Sequence, residues 1–304
     1  MSSFNEIYGE LKRRARARLD LHRREKPNDA LLIAAVIQLA LMIAMVVVAA
    51  FDTRLVSDVN PWFKPIKFAQ SIAAYVLTVA WMLDYLRVSR RGKQIISWGI
   101  AICVVTQITG ITLQAARGAR SHFNMSSPFD IVITVLLDVM DLVNSGFVIA
   151  LLVFACQGKY AVGRPTQWGI ATGLLIFLGA SAIGGVMVLK GGHSVGIVGG
   201  ESAPGLPFLD WSLTGGDLRP AHFLGLHALQ TLPIAGWLIN QRVDGPVWMK
   251  LAGVLATAVL IAAVVASLFV QAMVGIPFVR VADHTYDISR TPSALTTVTN
   301  VVGG

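Results

Sequence analysis

The chain has 304 residues, of which 55% are hydrophobic and only 14% charged, with a mean hydropathy of +0.65. That balance excludes an ordinary water-soluble domain and places the protein in a bilayer. The net charge of +8 could suit nucleic acid, but the excess lies in segments beside apolar runs, where anionic lipid and insertion topology account for it. No nucleic-acid motif accompanies it.

Residues 1–30 form a basic leader. Phe4, Ile7, Tyr8, Leu11, Ala15 and Leu19 fall on one helical face, with Lys12, Arg13, Arg14, Arg16 and Arg18 around the rest. The pattern predicts either an interfacial helix on the inner leaflet or a solvated basic helix that fixes topology. A bilayer core of about 30 Å needs roughly 20 apolar residues per helix. Seven runs approach that length: Leu31 to Phe51, Ile66 to Leu86, Ile95 to Ala116, Phe129 to Cys156, Gln167 to Leu189, Ala221 to Asn240 and Trp248 to Val279. The first is too long for a signal-peptide core and no small-residue cleavage pattern follows it, so it is read as a retained helix.

The expected fold is an all-α bundle of seven transmembrane helices over residues 31–279. A cytoplasmic N-terminus puts 16 of the 25 Lys and Arg residues inside, which orients the chain and leaves its C-terminus extracytoplasmic. The predicted location is the bacterial inner (plasma) membrane, with lipid as the first partner. Residues 190–220, rich in glycine, form either an ordered outer cap or a loose connector, and residues 280–304 form an extracytoplasmic tail expected to fray. Cys103 and Cys156 lack metal-ligand spacing and read as small apolar residues rather than a disulfide.

Polar side chains inside spanning helices carry the functional signal, because hydrocarbon penalises them. In the fourth helix Asp130, Thr134, Asp138, Asp141 and Ser145 follow steps of four, four, three and four, which is one helical face. Asp138 lies about ten residues in, near the midplane at about 1.5 Å per residue. The third helix has a matching stripe in Gln107, Gly110, Gln114 and Arg117. Facing stripes of this kind either glue helices together or build a site. Two mid-membrane aspartates, Asp138 and Asp141, exceed what glue requires, and two nearby buried carboxylates cannot both ionise cheaply.

Five of the six histidines, His122, His193, His222, His227 and His284, fall on the expected outer side. His222 and His227 are five apart, about 140° around a helix, so they cannot point at one metal from a regular helix; His227 shares a face with Gln230. Lys67, beside Gln70 and Ser71, begins the second helix. With Lys64, Arg117, Arg120 and Arg219 it would make an electropositive pocket near the outer surface, and the aromatic Trp62, Phe63 and Phe68 also suit an interfacial belt.

Several activities lack their signatures. No lysine occupies the middle of the last helix for a retinal Schiff base, and no Walker A loop, G-x-S-x-G elbow or C-x-x-C-H motif occurs. Three segments, Asn60-Pro-Trp-Phe-Lys-Pro-Ile-Lys-Phe68, Arg117-Gly-Ala-Arg-Ser-His-Phe-Asn124 and the stretch from Gly215 to Pro233, resemble a family of uncharacterised bacterial multi-pass membrane proteins. The resemblance covers 36 of the 304 residues and implies a common outer site built from the three segments, with no activity attached.

Two functions follow as expectations. The first is a redox or metal-dependent membrane protein in which His122 with His227 or His222 holds haem or a transition metal. Lys67, Arg117, Arg219, Gln114 and Gln230 would contact the cofactor or an anionic or quinone-like substrate, and Asp138 and Asp141 would move protons. The second is a proton- or ion-coupled transporter of a small anionic solute using that aspartate pair. A lipid-site subunit or receptor without chemistry is the third. Partner subunits and oligomeric state leave no trace in the sequence.

Overall fold

The structure is a computed structural model and describes residues 28–157, 162–196 and 204–279. The basic leader and the tail therefore lie outside the described residues, as does the middle of the cap loop. Seven long helices follow in order: α1 Asp29–Phe51, α2 Phe63–Tyr85, α3 Arg90–Arg117, α4 Pro128–Cys156, α5 Arg164–Lys190, α6 Arg219–Arg242 and α7 Val247–Met273. Six are long and apolar enough to cross a membrane, as in a helical membrane bundle. The exception is α6, which carries Arg219, His222, His227, Gln230, Asn240 and Gln241.

Helix ends are set by local chemistry rather than by the limits of the apolar runs. Although the third run begins at Ile95, α3 starts five residues earlier, because the Ser89 hydroxyl accepts from the Gly92 amide and caps its first turn. Ser127 caps α4 in the same way, with Pro128 at its first position. At the other ends of α3 and α5, Gly118 and Gly191 adopt the left-handed conformation that stops a helix.

The connections alternate between two ends of the bundle. At one, the cap end, the α1–α2, α3–α4 and α5–α6 connections meet: Arg54 Nη1 donates to the Ala116 carbonyl (3.0 Å) and Lys67 Nζ to the Phe208 carbonyl (2.7 Å). At the far end, Asn28 Nδ2 donates to the Ala80 carbonyl (2.9 Å) and to Asp84 (3.0 Å), and Lys250 Nζ to the Asn240 carbonyl.

Helices α1, α2 and α3 pack together, α5, α6 and α7 form a second group, and α4 bridges α3 to α5. The closest pairing is α5 with α6. A Cβ at Gly169 would stand 2.4 Å from the Leu232 carbonyl oxygen and one at Gly236 2.6 Å from that of Pro165, so both positions need glycine. With a lighter contact between α2 and α6, the helices α2, α3, α4, α5 and α6 close a ring. Its far-end half is filled by Val76, Leu83, Ile100, Leu151, Ile170, Leu174 and Leu229, all buried. The outward faces of α1, α4 and α7 present Ile33, Val36, Ile43, Val132, Leu142, Val259 and Leu260 to the surroundings, as lipid contact requires.

The described part of the cap is ordered by short pairings. Strand β1 (Ser194–Val195) runs antiparallel to β2 (Gly216–Asp217), and Gly205 bridges Ser212. A Cβ on Gly216 would fall 1.9 Å from the Ala272 carbonyl oxygen of α7, so this glycine lets the cap seat directly on a helix backbone.

Candidate functional site

Two groups of polar residues emerge, one holding the cap end together and one inside the ring. In the first, Asp217 is buried and receives two hydrogen bonds from Arg219 (2.7 and 3.0 Å) at one oxygen and one from the Ser212 amide (2.9 Å). Arg219 also pairs with Asp210 (3.0 Å), and His193 stands 3.8 Å from Asp217. Burial alone would raise the Asp217 carboxyl, but the Arg219 hydrogen bonds and charge, with His193 behind them, outweigh it and hold the group below its ordinary 3.8. The second lock joins α3 to α4: Asp130 accepts from Arg117 (2.7 Å), Gln114 (2.8 Å) and Ser127 (2.6 Å), and the Arg117 guanidinium lies 4.4 Å over the Phe129 ring.

Three of the five cations of the expected electropositive pocket are held by acceptors within the protein. Arg117 and Arg219 are engaged by carboxylates, Gln114 is spent on Asp130, and Lys67 Nζ is held by the Phe208 and Leu209 carbonyls (2.7 and 3.0 Å). The reason is physical: a cation beside low-dielectric walls is stabilised by the nearest oxygen acceptors. Asp130 could be read from the α4 stripe, whereas Asp210 stands in a loop where spacing carries no signal.

The three segments that share the family resemblance adjoin one another at the cap end. The Phe68 and His122 rings are 5.8 Å apart, and the Ser71 hydroxyl, just past the first segment, lies 3.4 Å from His227 Nε2. His222 Nδ1 donates to the Ala180 carbonyl (2.7 Å), and His122 Nδ1 bonds the Ser121 hydroxyl (2.9 Å). Burial pushes the His122 imidazole well below its ordinary 6.5, and the charges of Lys64 and His222 act in the same direction. Among the described residues no three His, Cys, Asp or Glu side chains converge closely enough to hold a metal ion, so His122, His222 and His227 do not form a three-ligand set. Neither cysteine is bonded: Cys103 is buried, while Cys156, expected inside, is exposed at the end of α4.

Deeper, Asp141 sits on the inward face of α4. Asp130, Leu137, Asp141, Val148 and Ala155 follow steps of seven, four, seven and seven and so share one face of α4. Four of the five are buried, from 0 to 5% exposed. Asp141, in the middle of that inward stripe, is exposed, and Asp138 and Asn144 beside it are partly so. Asp141 thus keeps accessible surface at the centre of an otherwise buried face. It lies about 20 Å along α4 from the cap end, at about 1.5 Å per residue.

Residues of α3, α2 and α5 lie near this stretch of α4. Gln107 of α3 lies beside the Asp141 carboxyl, with its Nε2 donating to the Leu137 carbonyl (2.7 Å) and its Oε1 buried without a hydrogen-bond partner. Tyr75 of α2 donates to Asn144 Oδ1 (2.9 Å) and stacks on Phe177 of α5 at 5.5 Å. Gln230 of α6, expected to contact a cofactor, also keeps a buried Oε1 without a partner. Tyr75 and Asn144 were not legible as site residues from spacing on single helices. Asn144 stands three residues after Asp141, and that spacing was the one available signal. No known protein family, curated protein or solved structure matches the chain.

Proposed function

We propose that the protein is a proton-coupled carrier with seven membrane crossings, in which Asp141 holds and releases the coupled proton inside the bundle. The observation that carries this reading is the pair Asp138 and Asp141, three residues apart in the middle of α4, with Asp141 on its inward stripe and neither in an ion pair among the described residues. With one amide N–H given to the Leu137 carbonyl, Gln107 has a second N–H to offer Asp141. Two carboxyls this close in apolar surroundings cannot both ionise cheaply, so one of them holds a proton. Asp141 therefore exchanges a proton whenever a positively charged or hydrogen-bond-donating group takes its place.

The crossing number follows from the alternation of ends: α6 returns from the cap to the far end beside α5 and α7, which shield the polar side chains that keep it below the apolarity of the others. Lys and Arg placement puts the far end in the cytoplasm. The carrier reading is tested with a hydrophobic carbodiimide, which modifies protonated carboxyls in apolar surroundings. Mass spectrometry of the labelled protein should find the adduct on Asp141, and its yield should fall as pH rises; an unlabelled Asp141 in folded protein contradicts the proposal.

A haem- or metal-dependent redox role is the second reading, supported by His122 and His222. Each has Nδ1 tied by a neighbour and, among the described residues, no hydrogen-bond partner on Nε2, the arrangement that orients an imidazole toward a ligand. An oxidised and reduced visible spectrum of purified protein, with elemental analysis, decides it: a Soret band or stoichiometric metal lost in His222→Ala supports this role, and a colourless, metal-free protein after supplementation ends it.

A further inference from the structure

We infer that the far ends of α5, α6 and α7 together bind the headgroup of an anionic phospholipid, preferring one that carries two phosphates. This surface is separate from the α4 carboxyls and stands without the carrier reading. Three cations meet there: Arg164 opens α5, Arg242 closes α6 and Lys250 is the fourth residue of α7. Asn240 of α6 ties the three ends together. Its carbonyl accepts from Lys250 Nζ (3.2 Å), and a Cβ on Gly163, the residue before Arg164, would stand 2.6 Å from its Oδ1. Arg164 and Arg242 are exposed, and among the described residues neither enters an ion pair. The carboxylate of this corner is Asp244, exposed on the α6–α7 connection, so positive charge remains in excess and unneutralised.

Charge alone would also suit an acidic protein or a nucleic acid, and the neighbouring indoles favour lipid instead. Trp168 and Trp237, 44 and 45% exposed, stand four residues after Arg164 and five before Arg242, about one helical turn nearer the middle of the bundle. Trp248, 69% exposed, lies level with the cations. Indole is most stable where headgroups meet hydrocarbon, with its ring in the apolar layer and its N–H in the polar one. Further in, Ile234 of α6 and Leu255 of α7 continue as exposed apolar surface, which acyl chains cover. Arginine supplies paired hydrogen bonds to phosphate oxygens. Lys and Arg placement assigns this end to the cytoplasm, where the facing leaflet holds anionic lipid.

The test titrates the full chain, in an uncharged detergent, with cardiolipin, phosphatidylglycerol and phosphatidylcholine of equal chain length, and counts retained lipid by native mass spectrometry. The expected order is cardiolipin, then phosphatidylglycerol, with phosphatidylcholine weakest. Arg164→Gln and Arg242→Gln should each weaken cardiolipin binding about fivefold, and the double variant about 25-fold, as for loss of one interfacial cation at a time. Arg91→Gln, which removes an exposed charge at the same end on α3, should leave binding unchanged. All three positions are exposed at helix ends, so the variants should fold, and thermal melts check this. Equal retention of phosphatidylcholine, or an Arg91→Gln loss as large as that of Arg242→Gln, overturns the assignment. Displacement of the lipid by millimolar inorganic phosphate makes this a site for a soluble anion, and displacement by an acidic peptide or an oligonucleotide at equal concentration makes it a face for a soluble macromolecule; either result also overturns it.

Discussion

Asp217 is the residue on which the cap most depends. It is buried, and three of its neighbours converge on it. Asp217→Asn removes the charge that Arg219 was folded against, at an expected cost of about 2–3 kcal/mol, reduced from the fully buried case because Arg219 keeps some exposure; thermal unfolding in detergent measures it. Since the folded carboxyl titrates below its ordinary 3.8, its contribution is complete above that value and is lost as pH falls through the lower folded one. His122 works the same way at milder pH. Its folded value lies below 6.5, so the unfolded chain binds the proton more readily, and stability falls as pH drops below about 6.5. Melting curves from pH 8 to pH 5 should show that decline, flattened in His122→Asn; an equally steep decline in the variant contradicts the assignment.

At the scale of elements, the α5–α6 pair depends on the absence of side chains. Gly169→Ala or Gly236→Ala places a methyl group within 2.6 Å of a backbone oxygen, and a loss of about 1–3 kcal/mol follows from the forced separation. Gly179→Ala, on the same helix with nothing within 4 Å, should be neutral or slightly stabilising, and thermal melts of the three variants side by side check the contrast. The helices themselves were legible in sequence because apolar length is a strong signal, and the stripes Gln107-Gly110-Gln114 and Asp130-Thr134 do face each other across α3 and α4. What spacing within one helix cannot show is which partner a charge will take. The facing stripes already suggest a carboxylate of α4 for Arg117, but Arg219 reads as a free cation until the fold brings Asp217 and Asp210 to it, and Tyr75 joins Asn144 only through the packing of α2 against the rest of the ring.

For the whole molecule, the alternation of connections makes topology testable. If the bundle crosses seven times with its far end in the cytoplasm, reporters inserted in residues 243–246 and 52–57 should lie on opposite sides, the former cytoplasmic; reporters on one side contradict it. The same architecture explains how polar residues survive inside: Arg117, Arg219 and Lys67 are held in structural locks at the cap end, while Asp138 and Asp141 enter no ion pair among the described residues. The account therefore turns on the protonation of the Asp141 carboxyl. Its most direct measurement is the infrared spectrum of purified protein in water and in D₂O, wild type against Asp141→Asn and Asp138→Asn. A protonated-carboxyl stretch that shifts in D₂O, disappears in Asp141→Asn and survives in Asp138→Asn is the expected result. A wild-type spectrum without that band, or a band untouched by Asp141→Asn, contradicts the account.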